Sequence, residues 1–247
     1  MQRDPVETGR ATPDHTLVGA PWLDVELYRR VQRRTVVLRS APYAALVLGS
    51  TQSDGIVDPV RAQRAGIAVV RRRTGGGAVL LRPGDHVWAD VWLPRDDPLW
   101  QWDVARAAVW VGEWWSSFLR AYEVQDASVH LGPMTQGPLA DHVCFAGTGP
   151  GEVTVRGRKL VGVAQWRPRE GALFRVSAYH HWDPAPLVNI LSVPPEDRTS
   201  VQRQLTSVAT GLADLLQSSF SMETLLSHLP GGQPWSFEIP AGGSRPA

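Results

Sequence analysis

The sequence reads as one domain of mixed helices and strands. Three observations carry that reading: a length suited to a single large core, a series of short β-branched runs, and one long tryptophan-rich stretch with helical character. The 247 residues are enough to bury a substantial interior without division into two domains. Residues 1–16 are polar and are expected to form a disordered leader, and 230–247, rich in proline and glycine, a flexible tail.

Taken in order, Leu17, Trp22, Leu23, Leu27 and Val31 recur at helix-like spacing and predict a surface helix. Thr35–Arg39 and Ala44–Gly49 are β-type runs separated by Ser40, Ala41 and Pro42. Asp58 as cap and Pro59 at the first position predict a short helix to Ala65, followed by a strand over Ile67–Val70. Val79–Leu81 and His86–Leu93 read as strands joined by the turn Arg82-Pro83-Gly84-Asp85. In the second strand Val87, Ala89, Val91 and Leu93 share one face, with Trp88, Asp90 and Trp92 on the other. Leu99–Leu119, apolar over much of its circumference, predicts a buried helix packed on that sheet. Glu152–Val155 and Lys159–Gln165 flank the turn Arg156-Gly157-Arg158 as a hairpin, and Leu173–Tyr179 is a further strand. Leu205–Leu229 contains two helical stretches that part around Ser218–Ser221.

Composition removes several classes of function. With 25 basic and 24 acidic residues, no general charge excess recommends a nucleic-acid or membrane-surface binder. Cys144 is the sole cysteine, which excludes an internal disulfide and a multi-cysteine metal cage and agrees with a reducing cytoplasm. No apolar run has the length of a bilayer span, and the first residues lack the apolar core of a signal peptide. Trp92, Trp100, Trp102, Trp110, Trp114 and Trp115 cluster in one region and are expected in the core.

The stretch from Arg71 through Arg72, Arg73, Thr74, Gly75, Gly76 and Gly77 to Ala78 stands between two apolar strands. Glycine lets the backbone approach a ligand closely, and successive N–H groups there can form a concavity for an anion. Three like charges side by side repel one another unless neutralised, so an anionic ligand is the expected partner. Lys159 enters an apolar strand and reads either as a solvated edge charge or as a cation at a pocket mouth. Cys144, between Val143 and Phe145 and beside His142, reads either as a buried inert thiol or as a nucleophile. His180 and His181 are adjacent on a strand and so point to opposite faces, which argues against a metal there.

Several of these stretches converge. Arg72-Arg73-Thr74-Gly75-Gly76-Gly77-Ala78-Val79 resembles the signature of the lipoate-protein ligase and octanoyltransferase family, which also includes biotin-protein ligases. Cys144-Phe145, Gly149-Pro150-Gly151-Glu152-Val153 and the run from Gly157 to Gln165 resemble that family's second block. The resemblance extends from about Leu17 to Val193 and is nearest to lipoate-protein ligase A-like members. It implies an α+β fold over 17–229, with a large mixed or antiparallel sheet, a smaller sheet and flanking helices. It also implies that Lys159 and Cys144 carry the chemistry. Arg71, Arg72, Arg73, Thr74, Gly75, Gly76, Gly77, Ala78, Glu152, Gly162, Ala164 and Gln165 would then hold the acyl group or acyl-adenylate, with no resident metal. The chain departs from the pattern at Leu81 and Arg82, where ligases carry a histidine and an acidic residue, and at Phe174-Arg175-Val176, where they carry His-His-Gly.

Three functions follow as expectations. The first is a ligase that activates lipoate or octanoate with ATP and Mg2+ and passes the acyl group to a lysine of a lipoyl-carrier domain or of the H protein of glycine cleavage. The second is an octanoyltransferase that takes its acyl group from acyl carrier protein through Cys144 and needs no cofactor. The third is a non-catalytic acyl or nucleotide binder on the same scaffold.

Overall fold

The computed structural model describes residues 20–135, 137–216, 219–232 and 234–238. The expected leader, Leu17, Ser218 and most of the expected tail lie outside them. A nine-residue strand, β5 (His86–Pro94), lies inside the large seven-stranded sheet. It pairs antiparallel with β1 (Thr35–Arg39) on one side and β9 (Gly171–Tyr179) on the other. β8 (Arg158–Trp166), β7 (Val153–Val155) and β6 (Ala127–Val129) continue the sheet beyond β9, and β10 (Ser236–Glu238) adds to β1 in parallel. A second sheet has the order β3–β2–β4, from β2 (Ala45–Leu48), β3 (Ala68–Arg71) and β4 (Val79–Leu81). The fold is therefore α+β, with a large mixed sheet, a small sheet and flanking helices.

Strand parity sets the two faces of the large sheet. Val87, Ala89, Val91 and Leu93 join a core with Trp114, Trp115 and Phe118 of the helix α3 (Val109–Ala121). Trp88 faces the other way, into the cluster that includes Val47, Val79 and Leu81 of the small sheet, and Trp92 packs beside Tyr28. Both faces of β5 are thus covered, the reason its sequence is nearly apolar throughout.

Several elements differ from expectation. In place of a helix over Leu17–Val31 the chain makes two 3-10 turns, Pro21–Leu23 and Glu26–Arg30. Asp24 separates them by accepting from the Glu26 N–H at 3.0 Å, a local bond that competes with helix continuation. The helix expected from Leu99 begins at α2 (Val104–Ala107), where Asp103 accepts from the N–H groups of Ala105 and Arg106 as an N-cap. Trp102 therefore lies outside the helix and is 76% exposed, against the expectation of a core residue; the Arg95 guanidinium stacks on it at 4.2 Å.

After α1 (Pro59–Arg64), which obeys its Asp58 cap, sequence reading also misses α4 (Ala185–Ile190) and begins α5 (Arg198–Val208) too late. Both are short or polar, and their stability comes from packing on the small-sheet core through Leu187, Val188, Ile190 and Leu205. α6 (Met222–Ser227) matches the second expected helical stretch. The expected tail contributes β10, which its own short sequence does not announce. Among the described residues no helix is long and apolar enough to cross a membrane.

Candidate active site

The glycine loop leaves β3, passes the end of β2 and returns as β4 within the small sheet. Arg72 N–H donates to the Leu48 carbonyl, so the loop starts anchored on β2. Gly49 has no room for a side chain, since a Cβ there would sit 1.9 Å from the Gly76 oxygen. At Gly77 a Cβ would lie 2.5 Å from the Cys144 nitrogen. Ala78 explains that proximity: its N–H donates to His142 O at 2.9 Å, and its carbonyl accepts from Cys144 N–H at 3.0 Å. Gln52, which sequence reading passed over, ties the same loops together, accepting from Gly49 N–H and donating to Asp141 O at 2.6 Å.

The three arginines do not act as one anion clamp. Arg71 and Arg73 reach separate acidic partners, whereas Arg72 turns into the interior. Arg71 donates to Gly49 O at 2.6 Å and pairs with Asp54, while Arg73 pairs with Glu26 at 2.7 Å. Arg72 is buried and donates to Val47 O at 3.3 Å and to Gly75 O and Gly77 O at 2.8 Å each. Two carboxylates and a ring of carbonyls within the fold compensate these charges.

Among the described residues Arg72 bonds only to backbone carbonyls, and its Nε makes no hydrogen bond. Burial pulls its guanidinium below the ordinary value, against an opposing pull from Cys144. An arginine nevertheless stays charged at physiological pH. Thr74 points inward as Arg72 does, and its buried Oγ1 also lacks a partner among the described residues. The backbone N–H groups from Arg73 to Gly77 donate to no described residue.

Lys159 is 2% exposed, so the reading as a solvated edge charge fails. Its ammonium meets Glu152 Oε2 at 2.6 Å, Cys144 O at 2.8 Å and Gly147 O at 2.9 Å, one acceptor for each of its three protons. Glu152 is also buried, and it accepts from Val163 N–H at 3.0 Å and Gly149 N–H at 2.7 Å. A cation and an anion are thus desolvated together and fully bonded, the condition under which a buried pair is tolerated.

A small cavity of about 40 Å³ opens between the sheets. Cys144, partly exposed, lines it together with Arg72, Gly162 and Ala164. Leu81 and Arg175, two of the positions where the sequence departs from the family pattern, line it as well. Arg82 instead pairs with Asp85 at 2.8 Å. Gln165 turns away, donating to Val104 O at 2.8 Å. The structure therefore brings Cys144, Lys159, Glu152, Arg72, Gly162 and Ala164 together and leaves Arg71, Arg73 and Gln165 outside. Trp88, Arg175 and Ser177 are cavity residues that sequence reading missed. Their signal lay in alternation: Trp88 with Asp90, and Arg175 with Ser177, share strand faces.

Both groups implied for a ligase can be set against this geometry. The Thr74 hydroxyl, Arg72 Nε and the loop N–H groups fit a phosphate oxygen of ATP. For a metal, both oxygens of Glu152 are engaged, and among the described residues no group of three or more His, Cys, Asp or Glu could hold one.

Solved structures share this fold. A bipartite lipoate protein ligase of an archaeal lipoylation system, described alongside its E2 lipoyl domain from Thermoplasma acidophilum, has a TM-score of 0.64 at 19% identity, covering 84% of this chain and 74% of that one. A lipoate-protein ligase A bound with ATP gives 0.61 at 19% identity, covering 84% and 75%. Plasmodium falciparum LipL1 in complex with lipoate gives 0.54 at 14% identity, covering 83% and 53%. No curated protein matches the sequence. The description that matches residues 23–230 is the lipoyl protein ligase A/B catalytic domain, and the chain belongs to that family.

Proposed function

We propose that this protein transfers an acyl group to a lysine of a lipoyl-carrier domain, with Cys144 carrying the acyl group in between. The observation that supports this route is the position of Cys144. It lines the inter-sheet cavity beside buried, carboxylate-free Arg72, on a turn whose carbonyls Lys159 holds. A thiolate gains most from a neighbouring desolvated cation.

In the first step Cys144 Sγ attacks the carbonyl carbon of an acyl thioester such as acyl carrier protein presents. The new C–S bond forms as the donor's C–S bond breaks, and the donor leaves as a thiol with the proton that Cys144 gave up. In the second step the neutral amine of the acceptor lysine attacks the Cys144 thioester. An amide forms, and the amine's proton returns to the sulfur. Lys159 acts as a positioning residue, since its ammonium is spent on Glu152 and on the turn. A lipoyl-carrier domain or an H protein would serve as acceptor, and no cofactor enters this route.

Direct activation of a free carboxylate with ATP is the second reading. It is favoured by the partnerless Thr74 hydroxyl and Arg72 Nε on the glycine loop. When bound, ATP would supply the leaving group that makes the carboxylate reactive.

Intact-mass spectrometry separates the two. Incubated with hexanoyl-acyl carrier protein, the wild type is expected to gain one acyl mass at Cys144 and to pass it to an apo carrier domain. Cys144→Ser is expected to lower transfer by about a thousandfold or more. Full transfer by Cys144→Ser would overturn the thioester route. AMP release from octanoate and ATP with Cys144 unmodified would establish the ligase.

A further inference from the structure

The cavity beside Cys144 has a floor, and the floor is charged. Two rows of residues cross the large sheet beneath the cavity. In the first, Gly162 pairs with Ser177 and Ser177 with Trp88; in the second, Ala164 pairs with Arg175 and Arg175 with Asp90. The Cys144 turn sits over the first row: a Cβ on Gly162 would lie 3.5 Å from the Phe145 ring and 3.6 Å from Lys159 Cε. The second row is two residues further along the strands, about 6.7 Å away.

Arg175 fills that row. Its Nε and Nη2 each donate to Asp90 at 2.8 Å, and its guanidinium lies over the Trp88 ring at 5.2 Å. Asp90 is fully buried and also accepts from Trp88 Nε1 at 3.1 Å, Tyr28 Oη at 3.2 Å and Arg39 Nε at 3.2 Å. To move Arg175 aside would leave that carboxylate short of its main counter-ion in a place closed to water. The distance from the first row to this clamp spans a few methylenes, short of an eight-carbon chain.

We propose that Arg175, clamped by Asp90, forms the end wall of the acyl cleft and restricts this protein to acyl groups shorter than octanoyl. The proposal rests on the acyl-transfer reading above and specifies its substrate class. Leucine or valine walls such as Leu23, Val47, Val79 and Leu81 can shift with a bound chain, whereas a multiply bonded buried ion pair resists displacement.

The test is a chain-length profile. Butanoyl-, hexanoyl- and octanoyl-pantetheine are supplied as donors, and acyl mass on Cys144 is followed in time. The wild type is expected to load butanoyl and hexanoyl groups and to load octanoyl at least about tenfold more slowly. Arg175→Ala is expected to raise the octanoyl-to-hexanoyl ratio by about tenfold. Wild-type loading of octanoyl as fast as hexanoyl would overturn the proposal, as would a folded Arg175→Ala with an unchanged ratio. Should Arg175→Ala fail to fold, the wild-type profile decides by itself. Absence of any adduct with every donor would instead refute the thioester route, a result distinct from a flat profile.

Discussion

Replacing Lys159 by methionine tests whether the Cys144 turn is held by one buried ammonium. The substitution keeps the length of the side chain and removes its charge. Three contacts are lost at once: Glu152 Oε2 at 2.6 Å, Cys144 O at 2.8 Å and Gly147 O at 2.9 Å. Glu152 retains the Val163 and Gly149 N–H donors, so its carboxylate is left buried and charged with only dipolar compensation. Breaking a buried pair from one side costs about 3–5 kcal/mol. For a chain of this size each kcal/mol lowers the melting temperature by about 2–4 °C, so the expected fall is roughly 6–20 °C. Circular dichroism melts and urea titration measure it. Lys159→Met/Glu152→Gln is expected to recover about 1–3 kcal/mol, because the unmatched carboxylate is gone. Kinetics on the folded single variant add a readout that stability alone would not move: kcat for acyl transfer falls while KM changes little, as expected if the Cys144 turn loses its position. A Lys159→Met protein melting within about 2 °C of the wild type would refute the argument.

Three further perturbations follow. Gly49→Ala places a Cβ 1.9 Å from the Gly76 oxygen and is expected to destabilise the fold by about 3 kcal/mol in urea titration. Gly75→Ala meets nothing within 4 Å, so its stability should stay within about 0.5 kcal/mol of the wild type while acyl transfer slows; full activity would mean that this part of the loop does not face substrate. Burial lowers the His86 imidazole to about 4 from an ordinary 6.5, which makes the unfolded chain the better proton acceptor between those values. The stability due to neutral His86 is therefore complete above pH 6.5, falls as the pH drops toward about 4, and amounts to about 3 kcal/mol at most. Equilibrium unfolding at stepped pH should show this loss in the wild type and a flatter curve for His86→Gln; identical curves would contradict it.

How much of this was legible in advance depends on whether the signal was local. Local steric and periodic rules placed β1, β5, β8 and β9, capped α1 with Asp58, and divided β5 into an apolar face and a Trp88/Asp90/Trp92 face. The glycine loop and the Lys159 strand were recognisable because backbone access and a cation entering an apolar run leave marks in adjacent residues. α4, β6 and β10 were not, since each is short and owes its order to a distant partner. Arginine roles were misread for the same reason: nothing near Arg71 or Arg73 in the chain reveals Asp54 or Glu26.

Sequence by itself therefore determined the family, the strand faces and the residues from which a site would be drawn. The tertiary structure decided which of them meet. Cys144 and Gly77 are brought together by the backbone bonds of Ala78, Lys159 is sealed by Glu152, and Arg175 is paired with Asp90 on a neighbouring strand. Those contacts depend on burial and on pairing between segments far apart in the chain. Such energies arise only when the sheets close over one another, which no local pattern of residues encodes.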